Sequence, residues 1–372
     1  MPLDFFARCV RGLEWVVAAE ATSLFGATVT RVRHREVAFA LPGPTAAPRL
    51  RTADDLFATA GTVAGVGRHR ATLAVLADGV GALDVHGARA TAAAVRGLEP
   101  RTGDSFEVVA SFLGRRNYNR TDVEDAVGAA IGKATGWSYQ SRRDDRRPVV
   151  AWTVRVHIDA DEAVLGVRCS DRPLHRRAYK QDDRPGTLHP PVAAAMSCLA
   201  GARPGGRLLD PFCGAGTIMV EAAAGATDLV AVGLDFDAEA VAQARANAGR
   251  AGVEVALVVG DAARLPFRPG WADVVVTNPP WGRAVAPAGR LRGASDHTRV
   301  LAQLGPDGRA VLLVDDPASD VTAQAVLVIP LSLFGRHPVI AVIDNRGEPF
   351  RTDDPLADAL TAAYAAHGER RM

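Results

Sequence analysis

From residue 207 to residue 316 five short apolar runs recur at regular spacing, and that rhythm restricts the fold more than any other feature. The runs are "RLLD" (207–210), "LVAVGLD" (229–235), "VALVVGD" (255–261), "DVVVTN" (273–278) and "AVLLVDD" (310–316). Each is short with an apolar centre, rich in valine in all but the first, as strands buried on both faces are. Between them "TIMVEAAAGA" and "AEAVAQARANAGRAG" have helix-forming composition, and the second closes on glycines suited to a helix end. Strands alternating with helices imply an α/β, doubly wound, Rossmann-like domain with a parallel sheet. Ligands of such sheets bind at the carboxyl ends of the strands. Two further runs, "AVLVIPL" and "PVIAVID", lie close in sequence and suggest an antiparallel pair at one edge.

The carboxyl ends carry the chemistry. "DPFCGAGT" (210–217) follows the first run, and Gly214 and Gly216 let the backbone pass close to a ligand where a β-carbon would collide. The dinucleotide fingerprint G-x-G-x-x-G fails, because its third glycine is Met219. Asp210 would repel a pyrophosphate but suits an ammonium or sulfonium group. Asp235 ends the second run, where a carboxylate can accept from both ribose hydroxyls; Asp237 is a helix N-cap candidate. Asp261 ends the third run, where it could accept from an adenine amino group. A cationic centre, a ribose and an adenine together describe S-adenosylmethionine.

The fourth run stops at Asn278-Pro279-Pro280-Trp281. Two prolines cannot donate to a sheet, so the turn is rigid. The Asn278 side-chain oxygen and the Pro279 carbonyl can accept both hydrogens of a planar amino group. Its lone pair is then aimed at a methyl donor. Pro280 stiffens the turn and Trp281 offers a face for stacking. "DPFCGAGT" with "TNPPWG" resembles the amino methyltransferases that carry an Asn/Asp-Pro-Pro-aromatic motif, with Trp281 where Tyr is commonest.

The first half reads differently. "RGLEWVVAAEATSLFGATV" (11–29) suggests an amphipathic helix with Leu13, Val16, Val17, Leu24 and Phe25 on one face and Glu14 and Glu20 on the other. In "SFEVVASFLGRRNYNRTDVEDAVGAAIG" (105–132), Arg115, Arg116 and Arg120 gather before a helix that Thr121 could cap, with Glu124 completing a capping box. That arrangement suits phosphates. "PVVAWTVRVHIDADEAVLGVRCSDRPLHRRAYK" (148–180) alternates like a half-buried hairpin ending in a basic segment. The order of these pieces resembles a THUMP RNA-binding domain joined to an α+β ferredoxin-like subdomain. Both halves together resemble the THUMP-containing RNA guanine-N2 methyltransferases.

The resemblance implies division into 1–60 (ferredoxin-like), 61–170 (THUMP), 171–189 (linker) and 190–372 (methyltransferase). It also implies an S-adenosylmethionine-dependent methyltransferase acting on the exocyclic N2 amino group of a guanine in tRNA, as a cytoplasmic monomer without metal. Thr187, before the helix "VAAAMSCLA", would meet the methionine end of the cofactor. Ribosomal RNA, a protein glutamine, a DNA adenine, or RNA binding without catalysis remain as alternatives. Between the fourth and fifth strands, "DHTRVLAQLG" (296–305) must serve as the helix.

Composition sets the outer bounds. The net charge is +1, yet residues 1–189 hold 27 Lys+Arg against 22 Asp+Glu and residues 190–372 hold 16 against 20. A basic first half suits a polyanion. Four scattered cysteines offer no zinc spacing, and no apolar run approaches the roughly 20 residues that span a bilayer.

Overall fold

The computed structural model describes residues 3–43, 49–99, 104–144, 148–181, 186–280, 297–333, 335–354 and 356–368. Trp281 and the rest of 281–296 therefore lie outside the described residues. The first half contains β1 (Leu3–Arg8), α1 (Glu14–Phe25), β2 (Thr28–Arg33), β3 (Glu36–Leu41), β4 (Asp55–Ala64), α2 (Thr72–Val80), α3 (Val85–Arg96), β5 (Ser105–Phe112), α4 (Arg120–Thr135), β6 (Ser138–Tyr139), β7 (Trp152–Asp159) and β8 (Glu162–Arg168). The second half contains α5 (Pro190–Leu199), β9 (Arg207–Asp210), α6 (Thr217–Gly225), β10 (Val230–Asp235), α7 (Ala238–Ala251), β11 (Ala256–Val259), β12 (Ala272–Thr277), α8 (His297–Leu301), β13 (Leu304–Val314), α9 (Asp320–Ala323), β14 (Leu327–Pro330), β15 (Val339–Asp344) and α10 (Ala357–His367).

The second half forms one sheet in the order β11-β10-β9-β12-β13-β15-β14. The first five strands run parallel, and β15 pairs antiparallel with both β13 and β14. Chain order reverses between β9 and β12, so the crevice beyond their carboxyl ends is where such a sheet takes a ligand. Asp237 caps α7 by accepting from Glu239 N at 2.8 Å, and the helix closes on Gly252 in the left-handed region. The expected helix between β12 and β13 is present as the short α8.

The first half is one eight-stranded sheet, β2-β3-β1-β4-β8-β7-β5-β6. The boundary expected at residue 60 falls inside β4, which pairs with β1 on one side and β8 on the other. Helices α1 to α4 cover one face, burying Val17, Leu76, Val85, Val127 and Ile131 on Phe5, Phe39, Val108 and Val156. The hairpin of β7 and β8 is more deeply set than its alternation suggested: most residues on both faces are buried.

Two local expectations are corrected. Helix α1 is not half-solvated. It lies between the two sheets, with Val17, Ala18 and Ala21 in the first core and Leu13, Trp15, Val16 and Ala19 in the second. Glu14 and Glu20 are 2% exposed, while Leu24 is 56% exposed. Glu14 accepts from the backbone N–H of Gly12 and Arg35, and Glu20 from those of Arg51 and Thr52. Buried carboxylates are tolerated when backbone donors replace water in this way. Helix α4 is capped by Asn119 rather than Thr121, with Asp122 completing the reciprocal box in place of Glu124. Glu124 is buried and accepts from Ala110 N at 2.9 Å, tying α4 to β5.

Candidate active site

Asp210 and Asp235 are the last residues of β9 and β10, Asp261 follows β11 by two positions, and Asn278 follows β12 directly. The register pairs Asp210 with Gly233 and Asp235 with Val259, so adjacent parallel strands end side by side. The four expected residues therefore stand along one sheet end, around the chain reversal. Sequence spacing could place each at a strand end. Only the strand order makes them neighbours.

The loop after β9 is built by hydrogen bonds to these acids. Asp235 accepts from Gly214 N at 2.8 Å through one oxygen and from Asp237 N at 2.9 Å through the other. Both oxygens retain lone pairs for a diol. Asp261 accepts from Ala263 N at 2.9 Å and caps a single turn of 3-10 helix. Asn247 on α7 donates to Ala215 O at 2.8 Å and holds the loop from behind. The two glycines differ in purpose. A β-carbon at Gly214 would meet no protein atom, so the space before it is open. One at Gly216 would lie 2.8 Å from Ala244 Cβ, and Gly216 also has φ +78, so packing against α7 demands glycine there.

Asp210 is 1% exposed. Its Oδ1 accepts from Thr277 Oγ1 at 2.7 Å and Phe212 N at 3.1 Å, while its Oδ2 is buried with no partner among the described residues. Burial raises its pKa to about 7, partly countered by the Thr277 and Phe212 hydrogen bonds, with Asp235 adding repulsion. Thr217 Oγ1, at the other end of the same loop, is likewise buried and unpartnered. An orphaned carboxylate oxygen and an orphaned hydroxyl on one loop fit a ligand that brings a cation and polar groups.

Asn278 donates through Nδ2 to Gly186 O at 3.3 Å. This contact brings the segment preceding α5, with Thr187 next in sequence, against the Asn-Pro-Pro turn. Helix α5 starts on Pro190 and Pro191, and its cap residue His189 meets Asp54 Oδ1 at 2.6 Å across the two halves. Thr217, Thr277 and Gly186 carry no sequence signal of their own. Thr217 closes the "DPFCGAGT" run and Thr277 precedes Asn278, so both stand beside one.

The three arginines of the first half separate. Arg115 and Arg120 are exposed. Arg116 is engaged in structure, donating to the carbonyls of Val66, Gly67 and Ala160 and to Tyr118 Oη at 2.6–2.9 Å. Asp122 also occupies the N-terminus of α4 and pairs with Arg70 and Arg143, so that helix end is already supplied with negative charge.

Among the described residues no cluster of His, Cys, Asp and Glu has the arrangement of a metal site, and no helix is long and apolar enough to cross a membrane.

The chain is similar to known proteins in both halves. Residues 177–316 match the family model described as UPF0020, RMKL-like, methyltransferase domain. A tRNA (guanine(6)-N2)-methyltransferase of Thermus thermophilus is 40% identical over 222 residues, covering 58% of this chain and 63% of that protein. A U6 snRNA (guanine-N(2))-methyltransferase of Mus musculus, THUMPD2, is 27% identical over 233 residues, 62% of this chain and 42% of that one. The matched regions thus span less than two thirds of these relatives. The crystal structure of TrmN from Thermus thermophilus superposes over 92% of this chain and 99% of its own, with TM-score 0.72 and 27% identity. Residues 177–316 are thus similar to an RMKL-like methyltransferase domain, within a whole-chain fold similar to that of TrmN.

Proposed function

We propose that the protein transfers a methyl group from S-adenosylmethionine to the exocyclic N2 of a guanine in tRNA. The observation that carries this reading is the convergence of Asp210, Asp235, Asp261 and Asn278 on one end of the parallel sheet. The similarity to a tRNA guanine-N2 enzyme supports the substrate. In this reading Asp210 Oδ2 and Thr217 face the methionine end together with Thr187, Asp235 takes the ribose hydroxyls, and Asp261 takes the adenine amino group. Gly214 leaves room for the ligand, and Gly216 seats the loop on α7.

When bound, the cofactor supplies an electrophilic sulfonium methyl. Asn278 and Pro279 accept the two hydrogens of the guanine amino group and turn its lone pair toward that methyl. Pro280 fixes the turn, and Trp281 stacks on the extracted base. Nitrogen gains the methyl, loses one proton to solvent, and S-adenosylhomocysteine leaves. The first half, with its ferredoxin-like and THUMP parts sharing one sheet, holds the tRNA, and exposed Arg115 and Arg120 are its candidate contacts. Four unpaired cysteines suit a reducing cytoplasm.

The test is incubation with labelled S-adenosylmethionine and bulk tRNA, followed by nucleoside analysis. Labelled N2-methylguanosine is expected. Label in protein or DNA instead, or cofactor binding without turnover on any RNA, would overturn the assignment.

A further inference from the structure

The face of the eight-stranded sheet opposite its helices is concave. Arg31 and Arg33 stand on β2 at one edge, yet both donate to Glu162 Oε1 on β8, at 2.8 and 2.9 Å. Four strand steps separate β2 from β8, about 19 Å in a flat sheet, beyond what two side chains bridge. The sheet must curl to bring them together. Phe6 and Phe57, stacked with ring centroids 5.0 Å apart, floor the trough beside Val164.

Charge on this face is unbalanced. Arg8, Arg31, Arg33 and Arg168 share Glu36, Asp55 and Glu162 in ion pairs of 2.8–3.5 Å. Arg155, on β7, has no ion pair among the described residues. Its Nη2 donates to Ser111 Oγ at 2.7 Å, and that hydroxyl meets His157 Nδ1 at 2.8 Å. Arg155 Nε and His157 Nε2 are both buried without a partner among the described residues. Burial first, then Arg8, with Arg168 and Arg120 beyond it, pulls the Arg155 pKa down to about 9, and Asp55, already paired with Arg168, offsets this only in part. His157 is driven far below its usual range by burial, Arg8 and Arg155, so it stays neutral and adds no positive charge of its own. Gathering like charges around an unpaired guanidinium costs stability unless an anion completes the set.

We infer that Arg155 is the centre of an anion subsite in this trough, which receives a phosphate of the RNA backbone. The inference rests on the RNA-substrate reading and adds to it a location distinct from the α4 turn. Arg120, exposed and electrostatically coupled to Arg155, stands close enough to guide the same strand.

Two experiments test it. In filter binding of tRNA across salt concentrations, Arg155→Gln should bind about 10-fold more weakly at 0.1 M salt, with a salt slope smaller by about one. Arg155→Lys should recover the slope. Melting temperature should stay the same or rise in Arg155→Gln, because a repelled charge is removed, and S-adenosylmethionine affinity should not change. A lower melting temperature with unaltered tRNA affinity would make Arg155 structural and overturn the inference. Should Arg155→Gln fail to fold, phenylglyoxal footprinting of the wild-type protein gives the answer: tRNA should protect Arg155 from modification. Wild-type protein that methylates tRNA while Arg155 remains unprotected sinks the subsite alone. Wild-type protein that binds no tRNA sinks the substrate reading with it.

Discussion

The proposed function gives Asp210 and Asn278 different jobs, and each can be isolated. Asp210 has a folded-state pKa of about 7 against 3.8 for the free side chain, so near neutrality much of it is protonated before a ligand arrives. A cationic ligand favours the ionised form. Binding should then release a proton, and S-adenosylmethionine affinity should fall about tenfold per pH unit below that pKa and flatten above it. Titration calorimetry between pH 5.5 and 8.5 reads this directly, and Asp210→Asn should abolish the slope. The same shift has a stability consequence of opposite sense. Because the pKa is raised on folding, the unbound protein loses stability as pH rises from about 4 to about 7. Asn278→Ala, by contrast, should leave cofactor affinity near wild type and slow methyl transfer by roughly 100-fold, the scale for one pre-organised polar contact. A normal single-turnover rate at saturating RNA would remove Asn278 from the chemistry.

At the scale of elements, what could be read in advance follows from period and position. Runs such as "AVLLVDD" announce buried strands because both faces are apolar, and the strand ends then place Asp210, Asp235 and Asn278 without further information. Helix α1 departs from its amphipathic pattern for a physical reason. Its glutamates look like a solvated face, but their oxygens are satisfied by backbone N–H groups from segments 12, 35, 51 and 52, which no helical period reveals. The α4 turn is similar: in sequence Arg116 looks like Arg115 and Arg120, whereas in the fold it holds three carbonyls. Arg116→Ala should therefore destabilise the fold by about 1–3 kcal/mol through carbonyls left unpaired, visible as a shift in denaturation midpoint. Arg115→Ala, at an exposed position, should change stability by less than about 0.5 kcal/mol. Equal effects of the two substitutions would contradict the separate roles.

At the scale of the whole molecule the two sheets are joined by more than a linker. Helix α1 contributes to both cores, and Trp15 packs edge-on against Phe350 and Tyr364 of the second half. Glu221 on α6, 2% exposed, accepts from Arg51 at 2.9 Å, Arg177 at 2.8 Å and Tyr179 Oη at 2.9 Å. It thus gathers the first half, the connecting segment and the methyltransferase domain on one carboxylate. Such sharing means that neither half completes its core alone, and the chain should unfold in a single calorimetric transition. Glu221→Ala would strand two guanidinium groups in a largely buried joint, a loss of about 3–5 kcal/mol for breaking a buried pair. The melting temperature should fall by roughly 4–6 °C while the transition stays single, since α1 still bridges both cores. Glu221→Gln, which keeps the shape and one acceptor, should lose less. Two resolved transitions in the wild type would show that the halves fold independently, and α1 would then be a passenger of one of them.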